Sequence, residues 1–162
     1  MIAKSVDISK VDIRFIDSEE WETAMSLAYE TYLEFDAEAY SDEGNEHFKE
    51  FVTDSFLKKM FEAGNYQVIG AYYKGKMIGV ISLRDDHHIS LLFVDKEFHN
   101  QGIGRSLIMA LADYAKLKLH QSCLTVNAAP YAFDFYRRVG FRDEDDLTTK
   151  DGITFIPMKL EI

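Results

Sequence analysis

Proline is scarce in this chain: Pro130 and Pro157 are the two in 162 residues. No Ser/Gly-rich stretch or internal repeat is present either, so nothing reads as a linker, and residues 1–162 are expected to form a single domain with room for a hydrophobic core. Cysteine is limited to Cys123. One cysteine excludes an intrachain disulfide and fits a reducing compartment, the cytoplasm being the expected one. Cys123 falls in the strand-like run Ser122–Val126 and reads as a small buried hydrophobe rather than a nucleophile. Basic residues are outnumbered 18 to 28, for a formal net charge of -10. That balance argues against nucleic acid as a partner, because a general binder shows a basic face. No apolar run has the length of a membrane span or of a signal-peptide core, so no membrane partner is expected.

Apolar and aromatic residues are plentiful, at 47% and 14%. Val11, Ile13 and Phe15 alternate with polar residues, as in a half-buried strand. Asp17 or Ser18 then caps a helix with Trp21, Met25, Ala28, Tyr32 and Phe35 at helical spacing. Ser41 caps a second helix presenting Phe48, Phe51, Val52, Phe56, Met60 and Phe61, and Gly64 ends it. Tyr66–Tyr73, Met77–Leu83 and His88–Val94 read as three strands joined by short polar links, the first of them the tight connection Lys74-Gly75-Lys76. A helix opens at Gly102 and runs to about Leu119. Gln121–Asn127 is a strand, Pro130 starts a short helix ending at Gly140, and Thr154–Leu160 closes the chain as a strand. The order β-α-α-β-β-β-α-β-α-β predicts an α/β fold with a mixed, mostly antiparallel central sheet and flanking helices.

The segment Leu91 to Leu107 carries chemistry. An apolar strand ends at Val94, a polar loop follows, and Gly102 and Gly104 open an amphipathic helix. Amide N–H groups at a helix start lack intrahelical acceptors and carry partial positive charge. Glycine lets a diphosphate come close to them. The dinucleotide fingerprint would need glycine or alanine where Leu107 stands, and the P-loop would need lysine where Arg105 stands. A plain tight turn into a helix remains open on these residues alone.

A second run, Asn127 to Phe141, includes Tyr136-Arg137-Arg138-Val139-Gly140-Phe141. With this run in place, the sequence resembles the GCN5-related N-acetyltransferase (GNAT) superfamily. The family pattern is Gln/Arg-x-x-Gly-x-Gly/Ala at a helix start, then a strand, an Asn, and a helix ending in Tyr-x-x-x-Gly-Phe. His99 stands where the pattern has Gln or Arg; Gln101 and Arg105 are the substitute donors. The resemblance spans Tyr66 to Phe141. It implies an N-acetyltransferase that moves an acetyl group from acetyl-CoA to a primary amine by direct attack, with no metal.

The resemblance also implies roles. Backbone groups near Phe93 and Val94 would hold the pantetheine arm and polarise the thioester, and His99, Asn100, Gln101, Gly102, Ile103, Gly104, Arg105 and Ser106 would hold the diphosphate. Asn127 would contact the coenzyme's arm, or else cap the helix ahead of Pro130. Tyr136 would protonate the departing thiolate, and His88 would accept the amine's proton. Strand parity puts His88, Ser90, Leu92 and Val94 on one face if no bulge intervenes. Glu30, Glu34 and Asp36 are the alternatives. Tyr29, Tyr32, Glu34 and Phe35 would line the acceptor pocket for a small-molecule or peptide amine. Dimers are common in the family, so a homodimer is an option. A non-catalytic acyl-CoA-binding or sensory module on the same fold is the alternative function, and a generic nucleotide-binding domain is a third.

Overall fold

β3 (Lys76–Arg84) is buried at every position from Met77 to Leu83. Neighbouring strand residues point to opposite faces, so such a run needs cover on both sides. The computed structural model, which describes residues 5–162, supplies two covers. On one face, Ile81 and Leu83 pack with Leu107, Ile108 and Leu111 of α4 (Ile103–Leu117). On the other, Met77 and Val80 pack with Trp21, Met25, Ala28 and Tyr32 of α1 (Trp21–Phe35).

The strands form an eight-stranded sheet. β1 (Asp12–Phe15), β2 (Gln67–Tyr73), β3 and β4 (His88–Val94) make an antiparallel meander. β5 (Cys123–Ala128) follows α4 and lies parallel to β4, as a strand–helix–strand crossover requires. α5 (Phe133–Val139) then leads to β6 (Arg142–Asp143), β7 (Thr148–Lys150) and β8 (Ile153–Glu161), all antiparallel around β8. The fold is therefore the expected mixed, mostly antiparallel sheet with flanking helices.

Three details depart from the sequence reading. The helix expected from Ser41 to Gly64 is two: α2 (Asp42–Val52) and α3 (Ser55–Glu62). Between them the Asp54 side chain accepts a hydrogen bond from the amide of Phe56 at 2.8 Å, capping a new helix. The break turns Phe56 outward, 65% exposed, and buries Leu57 instead. Strands β6 and β7, short and exposed, were not anticipated. Cys123 is half-buried rather than buried. Asp54→Ala removes the cap and is expected to cost about 0.5–2 kcal/mol in urea unfolding. A cost near zero would mean that the chain reversal, rather than the cap, holds α3 in place.

Candidate active site

β4 and β5 pair only at His88–Thr125 and Ile89–Val126. Beyond those pairs the strands diverge, and the edge of β4 that faces β5 is left without a strand. A cleft of about 1210 Å3 opens there. It runs from Ser90–Val94 to the start of α4 on one side and to α1, α2 and α5 on the other. Unpaired main-chain groups along β4 can hydrogen-bond an extended ligand as a further strand would.

A bulge at Ser90 sets the faces of β4, since Ser82 pairs with Leu91 while Leu83 pairs with Ile89. The Ser90 hydroxyl closes a triangle with Tyr66 (2.7 Å) and Ser82 (2.8 Å), on the α1 side. Leu91 and Phe93 pack on that side too, while Leu92 and Val94 pack toward α4. The parity expected for His88, Ser90, Leu92 and Val94 is thus overturned by the bulge. The His88 Nδ1 shares a hydrogen bond with the Thr125 hydroxyl at 2.7 Å. Burial, then the neighbouring Arg84 and His87, push its pKa down to about 4, so the ring is uncharged near neutrality.

The loop after β4 is built around two backbone positions. Asn100 (φ 59°) and Gly102 (φ 85°) both sit in the left-handed region. A Cβ on Gly102 would meet nothing within 4 Å, so this glycine serves conformation and leaves open space above the helix start. The first helical bond of α4 runs from the Ser106 amide to Gly102, which leaves the amides of residues 103–105 without acceptors in the helix. Gly104 has a different reason: a Cβ there would stand 3.1 Å from the Phe135 ring. Its smallness lets α5 close on α4, a packing reason beside the close approach of a diphosphate expected from the sequence. His99 turns back, its Nε2–H donating to the Val94 carbonyl, and its ring leans on Phe35 with centroids 4.9 Å apart. A carbonyl only accepts, so Nε2 carries a proton.

His99, Asn100, Gly102, Ile103, Gly104 and Arg105 line the cleft. Gln101 accepts from the Val6 amide through Oε1 at 2.7 Å and, with Ser106, lies outside the lining. Asn127 is an exposed residue of β5 opposite Pro157, at the cleft edge. It does not cap the turn at Pro130, whose N-cap is Ala129.

Tyr136 enters from α5, 6% exposed, with Phe135 and Phe141 each edge-on at 5.2 Å between centroids. Its hydroxyl has no hydrogen-bond partner among the described residues. Burial, then the charge of Asp36 and the nearby Tyr40, move its pKa upward, so it stays protonated across the working pH range.

The opposite wall comes from α1 and α2. Tyr32 and Phe35 line the cleft as expected; Tyr29 and Glu34 do not. Tyr29 stacks behind Phe48 at 6.3 Å, and Glu34 pairs with Lys96 at 2.8 Å on the surface. Tyr32 stacks on Phe48 at 3.9 Å and donates to Asn45 at 2.7 Å. Tyr40 and Tyr131 were not singled out from sequence, and Asp36 appeared there only among alternatives. Tyr131 donates to Asp36 Oδ1 at 2.7 Å across 95 residues of chain. Asp36 is 6% exposed, and burial pushes its pKa up to about 6 against the lowering effect of that bond.

Comparison with known proteins places these features in company. A family model described as an acetyltransferase (GNAT) domain matches residues 36–162. A UPF0039 protein of Schizosaccharomyces pombe is 31% identical over 75 residues, covering 46% of this chain and 50% of that protein. The match thus spans about half the length of that curated relative. Among solved structures, a GCN5-related N-acetyltransferase of Rhodopseudomonas palustris superposes with a TM-score of 0.81 at 21% identity, covering 98% of this chain and 100% of that one. The PaiA N-acetyltransferase of Thermoplasma acidophilum, in complex with coenzyme A, gives 0.72 at 23%, covering 94% and 99%. A spermidine N-acetyltransferase of Vibrio cholerae, in complex with coenzyme A and spermine, gives 0.68 at 16%, covering 94% and 96%.

Proposed function

Because this chain belongs to the GNAT acetyltransferase family, we propose that it is an N-acetyltransferase whose co-substrate is acetyl-CoA and whose acceptor is a primary amine that attacks directly. The observation that carries this reading is the convergence of three groups on one cleft: the open edge of β4, the unsatisfied amides at the start of α4, and the Tyr136 hydroxyl.

Each group meets one requirement of the transfer. The α4 amides and the loop around Gly102 hold the diphosphate, where helix-end N–H groups favour negative charge without a basic patch. The β4 edge near Phe93 and Val94 takes the pantetheine arm and offers an amide to the thioester oxygen. A preorganised donor of this kind is worth about 2.7–4 kcal/mol as the oxygen gains charge. Tyr136 supplies a proton to the sulfur as the carbon–sulfur bond breaks. Tyr32, Phe35 and Phe48 shape the acceptor side for a small-molecule or peptide amine. The spermine bound to the Vibrio cholerae structure supports the small-molecule form of this reading, and no helix among the described residues is long and apolar enough to cross a membrane.

Acetyl-CoA at a hundredfold excess over its dissociation constant is expected to stabilise the fold by about 2.7 kcal/mol, read as a rise in melting temperature. Release of coenzyme A thiol against a panel of amines should then identify acceptors. No thermal shift at millimolar acetyl-CoA would refute the co-substrate. A shift without thiol release from any amine would favour the binding-module reading.

A further inference from the structure

Asp36 is the one carboxylate in the cleft that is both buried and unpaired by a cation among the described residues. Its Oδ1 accepts from Tyr131. No donor reaches Oδ2 among those residues, and none of their buried polar side-chain atoms lacks a partner. Oδ2 is therefore open to the cleft. Around it stand aromatic groups: Tyr131, which bonds it, and Tyr32, Tyr40 and Tyr136, which lie near enough to feel its charge. A carboxylate sunk among rings is costly to keep ionised unless a cation joins it. Rings add attraction for an alkylammonium through their faces.

Resting on the acetyl-transfer reading, we infer that Asp36 receives the acceptor's ammonium group and takes its proton, which makes the acceptor an aliphatic primary amine. An aliphatic amine is protonated near neutral pH and must lose a proton before it can attack; an arylamine is already neutral and needs no such carboxylate. The steps balance. Asp36 takes one proton from R–NH3+, leaving R–NH2. Nitrogen bonds to the thioester carbonyl carbon, and the carbon–sulfur bond breaks with its electron pair on sulfur. Tyr136 gives its proton to sulfur and regains one from the nitrogen. Asp36 releases its proton to water.

His88 is the competing acceptor, but its Nδ1 is engaged by Thr125, and its basicity is depressed further from neutrality than that of Asp36. Proton acceptors work best near the operating pH. The other titratable and charged groups lining the cleft are Tyr32, Tyr40 and Tyr136, His47 from α2, Arg84 from β3, His99 and Arg105 around the start of α4, Asp134 and Arg138 from α5, Lys150 at the end of β7 and Asp151 in the β7–β8 turn. The tyrosines among them are all displaced upward by burial. With so many groups sharing the cleft, substitution at Asp36, rather than the wild-type profile alone, is the deciding measurement.

The test measures kcat/KM from pH 5 to 9 with an n-alkylamine and an arylamine, for the wild type, Asp36→Asn, Tyr131→Phe and His88→Ala. The wild type should show an acidic limb near pH 6 with the alkylamine only. Asp36→Asn should abolish that limb and lower the alkylamine rate at pH 8 about 100-fold or more, with acetyl-CoA affinity kept and arylamine turnover not lowered. Tyr131→Phe removes a bond that favours the ionised form, so its limb should move to higher pH. The inference is overturned if Asp36→Asn keeps the limb, if His88→Ala is the variant that removes it, or if Tyr131→Phe leaves it in place. Failure of the wild type to bind acetyl-CoA would instead overturn the transfer reading beneath it.

Discussion

Tyr136→Phe lowers kcat about 10²–10⁴-fold, the span usual for loss of a positioned acid, while the dissociation constant for acetyl-CoA stays within a factor of two. The change deletes one oxygen and keeps the ring between Phe135 and Phe141. Because the hydroxyl has no partner among the described residues, its removal breaks no hydrogen bond among them, so folding should be unaffected. The upward displacement of its pKa ensures that the proton is present whenever the thioester is bound. Taken alone, that displacement weakens the acid. Yet the same burial acts on the leaving thiolate, which is also an anion that the cleft desolvates. What matters is the difference between the two groups, and burial raises both. Asp36 adds to the effect on Tyr136, and once it has accepted the ammonium's proton it is neutral, so the phenol becomes a better donor as the reaction proceeds. The measurement is a steady-state profile with a saturating amine, beside calorimetric binding of acetyl-CoA. Unchanged kcat would remove Tyr136 from the chemistry and return it to the core.

What could be read in the sequence was local. The β4–loop–α4 run is contiguous, and its dense glycines and apolar stripe announce a strand, a turn and a helix start. Tyr136 stood out for the same reason, since its neighbours through Phe141 form one short run. The acceptor wall could not be read in this way. Asp36 and Tyr131 lie 95 residues apart and meet only because the turn Pro130–Ala132, between β5 and α5, comes up to the C-terminal end of α1. The bulge at Ser90 was invisible to a count of alternating residues, because the hydroxyl triangle found there joins residues far apart in sequence: Tyr66 just before β2, Ser82 of β3 and Ser90 of β4. At Thr53-Asp54 the apolar spacing continued through a break. Thr53 bonds back to the Lys49 carbonyl and Asp54 caps forward, and these side chains outcompeted the periodicity of Phe51 and Phe56. Arg142–Asp143 is too short and too exposed to show any pattern.

Gly152→Ala should destabilise by about 2–5 kcal/mol and raise KM for the amine without altering acetyl-CoA affinity. The turn between β7 and β8 carries Asp151 and Gly152 in the left-handed region and rests on the first turn of α2. A Cβ on Gly152 would stand 2.2 Å from the Ser41 hydroxyl oxygen and 2.6 Å from the Gly44 amide nitrogen. The glycines face each other, since a Cβ on Gly44 would stand 2.6 Å from the Gly152 carbonyl oxygen. Ser41 donates to that carbonyl at 3.3 Å and accepts from the Gly44 amide at 3.2 Å, so one side chain both caps α2 and clasps the turn. Backbone cannot yield as a flexible side chain would; the turn must lift from α2. Lys150, Asp151, Ile153 and Phe155 of this strap line the cleft beside α2, the side that the proposed function gives to the acceptor, which is why the amine and not the coenzyme should feel the change. Gly75 provides the control. Its φ is +77°, close to the +79° of Gly152, but a Cβ there meets nothing within 4 Å. Gly75→Ala therefore carries the conformational cost alone, about 1–2 kcal/mol. If urea unfolding gave the two variants equal losses, the contact between strap and helix would contribute nothing. If Gly152→Ala cost more but left KM unchanged, the strap would be structural and the acceptor would lie elsewhere.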